Sequence, residues 1–100
     1  MEQKIHKPFR FKRTKRFKRD YRKLQPFEQA KAAVAFEKFK RNPWDNALKT
    51  HKISSLSQRA GTPVWAIYVD SDLRVLFMQK GNEIIALTIG NHDVYKSQSF

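Results

Sequence analysis

The sequence predicts one α+β domain, in which an N-terminal strand and a helical hairpin pack on a twisted antiparallel sheet that ends in a three-strand meander. An alternating segment followed by two amphipathic helical segments gives the first half of this prediction. Three β-branched and aromatic runs joined by short turns give the second half. No Gly/Ser/Pro-rich linker divides the 100 residues, so we expect a single domain over residues 9–97 after a basic tail over residues 1–8.

A short strand and a capped helix are predicted first. Phe9 and Phe11 alternate with basic residues, which favours a strand with one apolar face. Thr14 is a suitable N-cap for a helix that begins at Lys15. The apolar stripe of this helix recurs at i, i+4 and i+7 and consists of Phe17, Tyr21 and Leu24.

A second helix is predicted over residues 27–41, with Pro26 in its first turn and an end at Asn42-Pro43. Its main apolar face consists of Ala32, Ala35, Phe36 and Phe39. A second apolar side consists of Phe27, Ala30 and Val34. We therefore expect this helix to be covered on more than one face, and both helices to pack on one face of the sheet.

The meander is predicted from three apolar runs separated by turns. The runs are residues 64–69, 73–79 and 83–89, and the turns are residues 70–72 and 80–82. Connections this short require antiparallel pairing. The segment over residues 51–56 is predicted as either an edge strand or a loop.

The net charge is +12, from 21 Lys and Arg against 9 Asp and Glu. Residues 1–41 hold fifteen of the basic residues and four of the acids, so the charge is concentrated in the first half. So high a charge on a small surface attracts polyanions at long range. Nucleic acid is the favoured partner, and an acidic protein is an alternative that can coexist with it.

Several classes of protein are excluded by composition. The absence of cysteine excludes a disulfide scaffold, a thiolate nucleophile and a cysteine-based zinc site. No apolar run approaches the ~18 residues of a membrane helix, so no membrane partner is expected. The basic N-terminal residues are not followed by an apolar segment, which argues against a secretory signal and for the cytoplasm. No carboxylates cluster with the histidines at ligand spacing, so we predict neither a metal site nor a cofactor.

Four stretches of residues 9–96 together resemble the RelE/ParE superfamily of bacterial toxin–antitoxin toxins. They are RTKRFKRDYRKL (13–24), HKI (51–53), VWAIYVDSDLRVLF (64–77) and IALTIGNHDVY (85–95). In that superfamily a His-Lys pair precedes the meander, an arginine lies early in its middle strand, and the last strand runs into a Gly-x-His…Tyr-like end. The chain is most similar to the RelE/YafQ-like mRNA endonucleases, while the ParE-like branch shares the fold but inhibits DNA gyrase.

The resemblance implies the toxin of a type II toxin–antitoxin system, a metal-independent endoribonuclease that cleaves mRNA on the ribosome and inhibits translation. Its implied partners are a cognate antitoxin, the ribosome and mRNA. Two alternatives stay open: a non-enzymatic ParE-like inhibitor of DNA gyrase, and a catalytically degenerate member that only binds RNA or an antitoxin. The histidines favour the nuclease, because a pure inhibitor needs no group that moves protons.

Metal-free RNA cleavage needs a base for the ribose 2′-hydroxyl, a cation for the phosphorane and an acid for the departing 5′-oxygen. With the resemblance, Arg74 and Lys52 are expected to bind the scissile phosphate. RelE-type members often place lysines in the first meander strand, which here is WAIYV, so that role passes to Lys52 or to the N-terminal helix. His92 is expected to act as acid or base, because imidazole changes protonation near neutral pH. His51 or Tyr95 is expected to be its counterpart.

The first predicted helix is a candidate RNA-binding surface. Its basic residues lie off the apolar stripe and are Lys15, Arg16, Lys18, Arg19, Arg22 and Lys23. Such a run of charge is often only a solvated face, but this one has few neighbouring acids. We therefore expect it to bind the backbone of structured RNA.

Overall fold

The computed structural model describes residues 9–98 and 100, and the predicted tail over residues 1–8 lies outside the described residues. The strands are β1 (Arg10–Arg13), β2 (His51–Lys52), β3 (Val64–Tyr68), β4 (Arg74–Lys80) and β5 (Glu83–Gly90). The helices are α1 (Lys15–Arg22), α2 (Pro26–Arg41), α3 (Ser54–Ala60) and α4 (Val94–Ser97), and a 3-10 turn spans Asn46–Leu48. Within the described residues, no helix combines the length and the apolar character that crossing a bilayer requires.

The five strands form one sheet in the order β1-β5-β4-β3-β2. The meander of β3, β4 and β5 is antiparallel, as predicted, and β2 adds an antiparallel edge. The predicted α+β architecture is confirmed, with one difference in the sheet: β1 runs parallel to β5. All the other elements of the fold up to β5 lie between these two strands in the chain, and a connection of that length permits parallel pairing, which a hairpin does not.

N-terminal capping interactions are present where α1 and α2 are each predicted to begin. The Thr14 hydroxyl accepts a hydrogen bond from the Phe17 N–H at 3.0 Å, which caps α1. The same hydroxyl donates to the Leu87 carbonyl at 3.0 Å, so the cap also fixes the helix to β5. At the start of α2, the Gln25 N–H donates to the Glu28 carboxylate at 2.8 Å as part of a capping box.

α1 and α2 pack on one face of the sheet, which we call the back face. The buried residues there include Phe17, Ala32, Ala35 and Phe39 from the helices and Ile67, Val75, Phe77 and Ile84 from the sheet. Phe27 and Val34 are 62% and 60% exposed, so the prediction that α2 is covered on more than one face is wrong. The reason is that α2 forms the outer layer, and its far side faces solvent in the part of the chain that the structure describes.

The opposite face of the sheet, which we call the front face, carries α3 and α4. Leu56 of α3 and Val94 of α4 are buried against it. The sheet residues packed with them include Val64, Ala66, Leu76 and Leu87. The segment predicted as an edge strand or a loop therefore forms the two-residue strand β2, followed by a helix. The sequence of α3, SSLSQRA, has a single large apolar residue, so its helical periodicity is too weak to predict.

Candidate active site

Four side chains from separate elements converge at one end of the front face. They are His51, Tyr68, Arg74 and Tyr95, and we call them the front-face cluster. Paired residues on neighbouring strands point to the same face, and His51 pairs with Ala66, which is buried on the front face. Tyr68 lies two residues after Ala66 on β3 and pairs with Arg74. The structure thus brings together three of the predicted residues, His51, Arg74 and Tyr95.

The Arg74 side chain is held from three directions. Its guanidinium carbon lies 4.3 Å from the centre of the Tyr68 ring, and its Nη1 donates to the Ser71 carbonyl at 3.0 Å. It also hydrogen-bonds the Tyr95 hydroxyl. Within the described residues no carboxylate pairs with Arg74, and its buried Nε has no hydrogen-bond partner. A guanidinium in a fixed orientation with uncompensated charge is suited to bind a phosphate.

The His51 ring packs edge-on against Tyr68, with ring centres 5.7 Å apart and ring planes at 70°. Its Nδ1 lies 2.9 Å from the Lys49 carbonyl oxygen. Because a carbonyl only accepts, we assign the proton to Nδ1, and the neutral ring then keeps a lone pair on Nε2. Lys49 presents this carbonyl from a left-handed backbone conformation, with φ 51°, at the end of the 3-10 turn. This tautomer suits His51 to act as a base.

The pKa of the Tyr95 phenol lies above its ordinary value of 10.0. Burial is the main cause; the charge of Arg74 and its hydrogen bond act against it, and the neighbouring Tyr68 adds to it. Tyr95 therefore stays protonated at neutral pH. Because a guanidinium only donates, the Tyr95 oxygen accepts from Arg74, and its O–H remains free to donate to a ligand.

His92 lies on the same turn as Tyr95, but its ring is exposed. The Asn91 side chain accepts a hydrogen bond from the Asp93 N–H at 2.9 Å, and the His92 carbonyl accepts from the Tyr95 N–H at 3.3 Å. Among residues 9–98 and 100, no side-chain contact joins His92 to the front-face cluster. His92 is therefore linked to the cluster only through the backbone of this turn.

Lys52 does not join the front-face cluster. It pairs with Trp65, whose side chain packs on the back-face core, whereas His51 beside it pairs with a front-face residue. Neighbouring side chains on a strand point to opposite faces, so both members of a His-Lys pair cannot reach one site from β2. The expectation that Lys52 and Arg74 act on the same phosphate does not agree with this placement.

Most of the basic residues predicted to bind RNA are exposed. These are Lys15, Lys18, Arg19, Arg22 and Lys23. Arg16 differs, because its Nε pairs with Asp20 at 3.3 Å and its two other nitrogens bond to Ser97. The exposed residues form a basic surface along α1, and the contacts of Arg16 remove it from that surface.

A concave surface, about 780 Å³ in volume, lies on the back side between β1, α1 and α2, and we call it the helix groove. Its aromatic lining consists of Phe11, Phe17, Tyr21, Phe36 and Phe39. Its basic lining consists of Lys12, Arg13, Lys18, Arg22 and Lys40. Among the described residues that line it, Glu37 is the only acid. The sheet separates this groove from the front-face cluster.

Tyr68 is the member of the cluster that the sequence analysis missed. The signal was present, because a turn over residues 70–72 places Tyr68 directly opposite Arg74 in an antiparallel hairpin. Nothing in residues 9–98 and 100 groups three or more His, Cys, Asp or Glu side chains in a way that suits a metal ion. The side chains of the front-face cluster offer a guanidinium, an imidazole and two phenols.

No protein-family model matches the chain, and no curated protein matches its sequence. Solved structures do match it along most of its length. YafQ from E. coli strain BL21(DE3) aligns with a TM-score of 0.69 at 13% sequence identity, over 87% of this chain and 97% of that chain. The chain has the RelE/YafQ toxin fold.

Two other solved structures are similar to the same extent. A chain of the archaeal RelE-RelB complex from Pyrococcus horikoshii OT3 has a TM-score of 0.66 at 12% identity, over 85% of this chain and 96% of that one. A chain of the E. coli DinJ-YafQ toxin-antitoxin complex has a TM-score of 0.69 at 11% identity, over 87% and 96%. These matches confirm the predicted RelE-like architecture.

Proposed function

We propose that this protein is the toxin of a type II toxin–antitoxin system and that it cleaves mRNA on the ribosome as a metal-independent endoribonuclease. The observation that carries the proposal is the uncompensated guanidinium of Arg74, fixed by Tyr68 and flanked by His51 and Tyr95. The RelE/YafQ fold supports it, because proteins with that fold include toxins from toxin–antitoxin complexes. We place its action in the cytoplasm, where ribosomes translate.

Three members of the cluster, together with His92, have roles in the proposed reaction. His51 Nε2 takes the proton from a ribose 2′-hydroxyl, whose oxygen attacks the adjacent phosphorus. Arg74 binds the phosphate oxygens as negative charge grows on them, and the Tyr95 O–H adds a hydrogen bond. The bond from phosphorus to the 5′-oxygen breaks, and His92 returns a proton to that oxygen. The products are a 2′,3′-cyclic phosphate and a 5′-hydroxyl.

We assign His92 as the acid because Tyr95 and His51 are better suited to other roles. The raised pKa of Tyr95 makes its phenol a poor proton donor to a leaving group, although a good hydrogen-bond donor. The contact of His51 with the Lys49 carbonyl supports the role of His51 as the base. His92 is then the remaining side chain on the same turn as Tyr95 that can serve as a general acid.

The proposed partners use two adjoining surfaces, the basic surface of α1 and the helix groove, which share Lys18 and Arg22. The exposed basic residues of α1 suit the phosphate backbone of ribosomal RNA, which attracts Lys and Arg irrespective of sequence. The helix groove combines an aromatic lining with a basic one, so it suits an acidic segment of an antitoxin that carries apolar side chains. Because the sheet lies between the groove and the front-face cluster, the two sites are distinct.

The test is to add the purified protein to ribosomes programmed with a defined mRNA, and to the same mRNA alone. We expect cuts on the ribosome whose ends carry a 2′,3′-cyclic phosphate, and few cuts in free mRNA. A parallel DNA supercoiling assay with gyrase tests the ParE-like alternative. Inhibition of gyrase without any cut mRNA would reject the proposed function.

Arg74 variants make the test specific. Arg74→Ala is expected to slow cleavage by about 10²–10³-fold, since it removes charge stabilisation in the transition state. Arg74→Lys is expected to recover only part of that loss, because a point charge lacks the planar fork of a guanidinium. The matched control is Arg41→Ala, because Arg41 is an exposed arginine at the end of α2 and far from the front face in the fold.

A further inference from the structure

The C-terminal turn that carries Tyr95 is too short to hold itself in place. α4 has four residues, Val94–Ser97, and an isolated helix of one turn is unstable in water. Val94 is the buried apolar residue of α4, and Tyr95 is half-buried beside it. The orientation of Tyr95 against Arg74 therefore depends on contacts made by other elements.

Arg16 of α1 supplies two of these contacts. Its Nη1 donates to the Ser97 carbonyl at 3.0 Å, and its Nη2 donates to the Ser97 hydroxyl at 2.9 Å. Its Nε donates to Asp20 at 3.3 Å, and Asp20 in turn accepts from the Thr88 hydroxyl at 2.7 Å. All three guanidinium nitrogens are thus engaged, and the chain of contacts runs from α4 through α1 to β5.

Arg59 of α3 supplies a third contact from another side. Its Nη2 donates to the Gln98 carbonyl at 2.9 Å, immediately after the end of α4. Arg16 and Arg59 are 81 and 39 residues away in sequence from the residues whose carbonyls they bind. Two arginines from two different helices therefore bind consecutive carbonyls of one short segment.

We infer that Arg16 and Arg59 are positioning residues that hold the C-terminal turn so that Tyr95 lies against Arg74. The inference rests on the proposed function only for its activity measurement. It separates Arg16 from the other basic residues of α1, which face solvent and are proposed to bind RNA. Arg16 acts through Tyr95, and its loss affects the chemical step and not the attraction to RNA.

The activity test compares single-turnover cleavage on saturated ribosomes with the salt dependence of ribosome binding. Arg16→Gln is expected to slow cleavage by about tenfold, because a misplaced group in a site costs rate far more than affinity. The slope of log affinity against log salt should change little. Lys18→Gln, which changes an exposed residue of the same helix, should instead lower that slope by about 0.7–0.9.

The conservative variant Arg16→Lys distinguishes a positioning role of Arg16 from a role in attracting RNA. Arg16→Lys keeps the charge, so it would behave like the wild type if Arg16 only attracted RNA. It cannot make the paired contacts with Ser97 and Asp20, so we expect cleavage as slow as in Arg16→Gln. Arg16→Lys with wild-type cleavage, together with a flatter salt slope in Arg16→Gln, would overturn the inference.

A structural measurement keeps the inference testable if the protein does not cut RNA. Amide hydrogen exchange of residues 94–97, followed by NMR, should become about tenfold faster in Arg16→Gln and in Arg59→Gln, since each loses an anchor of the turn. Arg41→Gln is the matched control and should leave this exchange unchanged. Unchanged exchange in both Arg16→Gln and Arg59→Gln would reject the inference that these arginines hold the C-terminal turn, whether or not the protein cleaves mRNA.

Ser97 provides a cross-check within the same contact. Ser97→Ala removes one of the two bonds from Arg16, so it should raise the exchange of the turn by less than Arg16→Gln does. In the Arg16→Gln background, Ser97→Ala should add nothing, because its partner is already gone. Additive effects of the two substitutions would mean that Ser97 acts independently of Arg16, which contradicts the inference.

Discussion

The guanidinium carbon of Arg74 lies 4.3 Å from the centre of the Tyr68 ring, and the two residues face each other next to the turn of the β3–β4 hairpin. The ring face holds the cation while the Ser71 carbonyl fixes one of its nitrogens. Neither contact neutralises the charge. The pair therefore presents a cation in a fixed orientation beside His51, as preorganised stabilisation of a phosphorane requires.

The stacking of Arg74 on Tyr68 predicts that two substitutions of Tyr68 will differ in their effect on cleavage. Tyr68→Ala frees the Arg74 guanidinium, and we expect single-turnover cleavage to fall by about tenfold, which corresponds to ~1.4 kcal/mol. Tyr68→Phe keeps the ring, so cleavage should stay within about twofold of the wild-type rate. Thermal unfolding of each variant controls for loss of fold. An equal loss in both variants would mean that the hydroxyl matters and that the stack does not.

The opposite orientations of His51 and Lys52 give a second prediction. On saturated ribosomes, His51→Ala should slow cleavage by about 10²-fold or more, because it removes the base. Lys52→Ala should leave that rate within about threefold, because Lys52 faces the other side of the sheet. Saturation removes any effect of Lys52 on binding. A large loss in Lys52→Ala under these conditions would contradict its placement outside the cluster.

The fold was predictable wherever local chemistry decides the structure. The Thr14 cap, the capping box that starts α2 and the turn over residues 70–72 all depend on residues within three or four positions of each other. α3 was not predictable, because its seven residues bury one leucine and depend on the sheet for stability. The parallel pairing of β1 depends equally on a contact between distant parts of the chain.

The site was predictable in its residue types more than in its geometry. Arg74 and Tyr95 come together through the predicted meander and the turn after it. His51 joins them through Tyr68, and this requires β2 to pair with β3 as an edge strand. Lys52 fails to join them because its face is set by the register of a two-residue strand, which no periodicity in so short a segment can fix. Arg16 was grouped with its basic neighbours because its partner lies 81 residues away.

The basic part of the helix groove predicts preferential binding of an acidic amphipathic segment. A synthetic acidic peptide with apolar residues at helical spacing serves as the probe, and a scrambled peptide of the same composition is its control. Lys40→Glu should weaken its binding by about tenfold, through loss of one attraction and gain of one repulsion. Lys38→Glu is the matched control, because it lies on the same helix outside the groove lining and should bind normally.

Two results would contradict the role of the groove. Equal binding of the scrambled peptide would show attraction by charge alone, with no use of the aromatic lining. Displacement of the peptide by a short RNA, with NMR shifts at Phe11 and Phe36, would show that the groove is an RNA surface instead. Neither result bears on the front-face cluster, because the sheet separates the two surfaces.

Asp20 predicts a pH dependence of stability. Its partial burial acts to raise the pKa of the carboxyl, but hydrogen bonds from Thr88, Arg19 and Arg16 outweigh this, and the pKa lies below its ordinary value of 3.8. The folded protein therefore keeps the carboxylate ionised at lower pH than the unfolded chain does. The resulting stabilisation is fully present above about pH 3.8, and it is lost as the pH falls through the lower, folded-state pKa.

Urea unfolding of the wild type and of Asp20→Asn at neutral pH and near pH 3 tests this sign. At neutral pH we expect the variant to be less stable by about 1–3 kcal/mol, because two guanidinium groups lose their charged acceptor. The difference should shrink at the lower pH, where the wild-type carboxyl begins to be protonated. Asp72→Asn is the control, since Asp72 is exposed and forms no ion pair among residues 9–98 and 100. A difference that stays constant with pH would mean that Asp20 stabilises the fold through its shape and not through its charge.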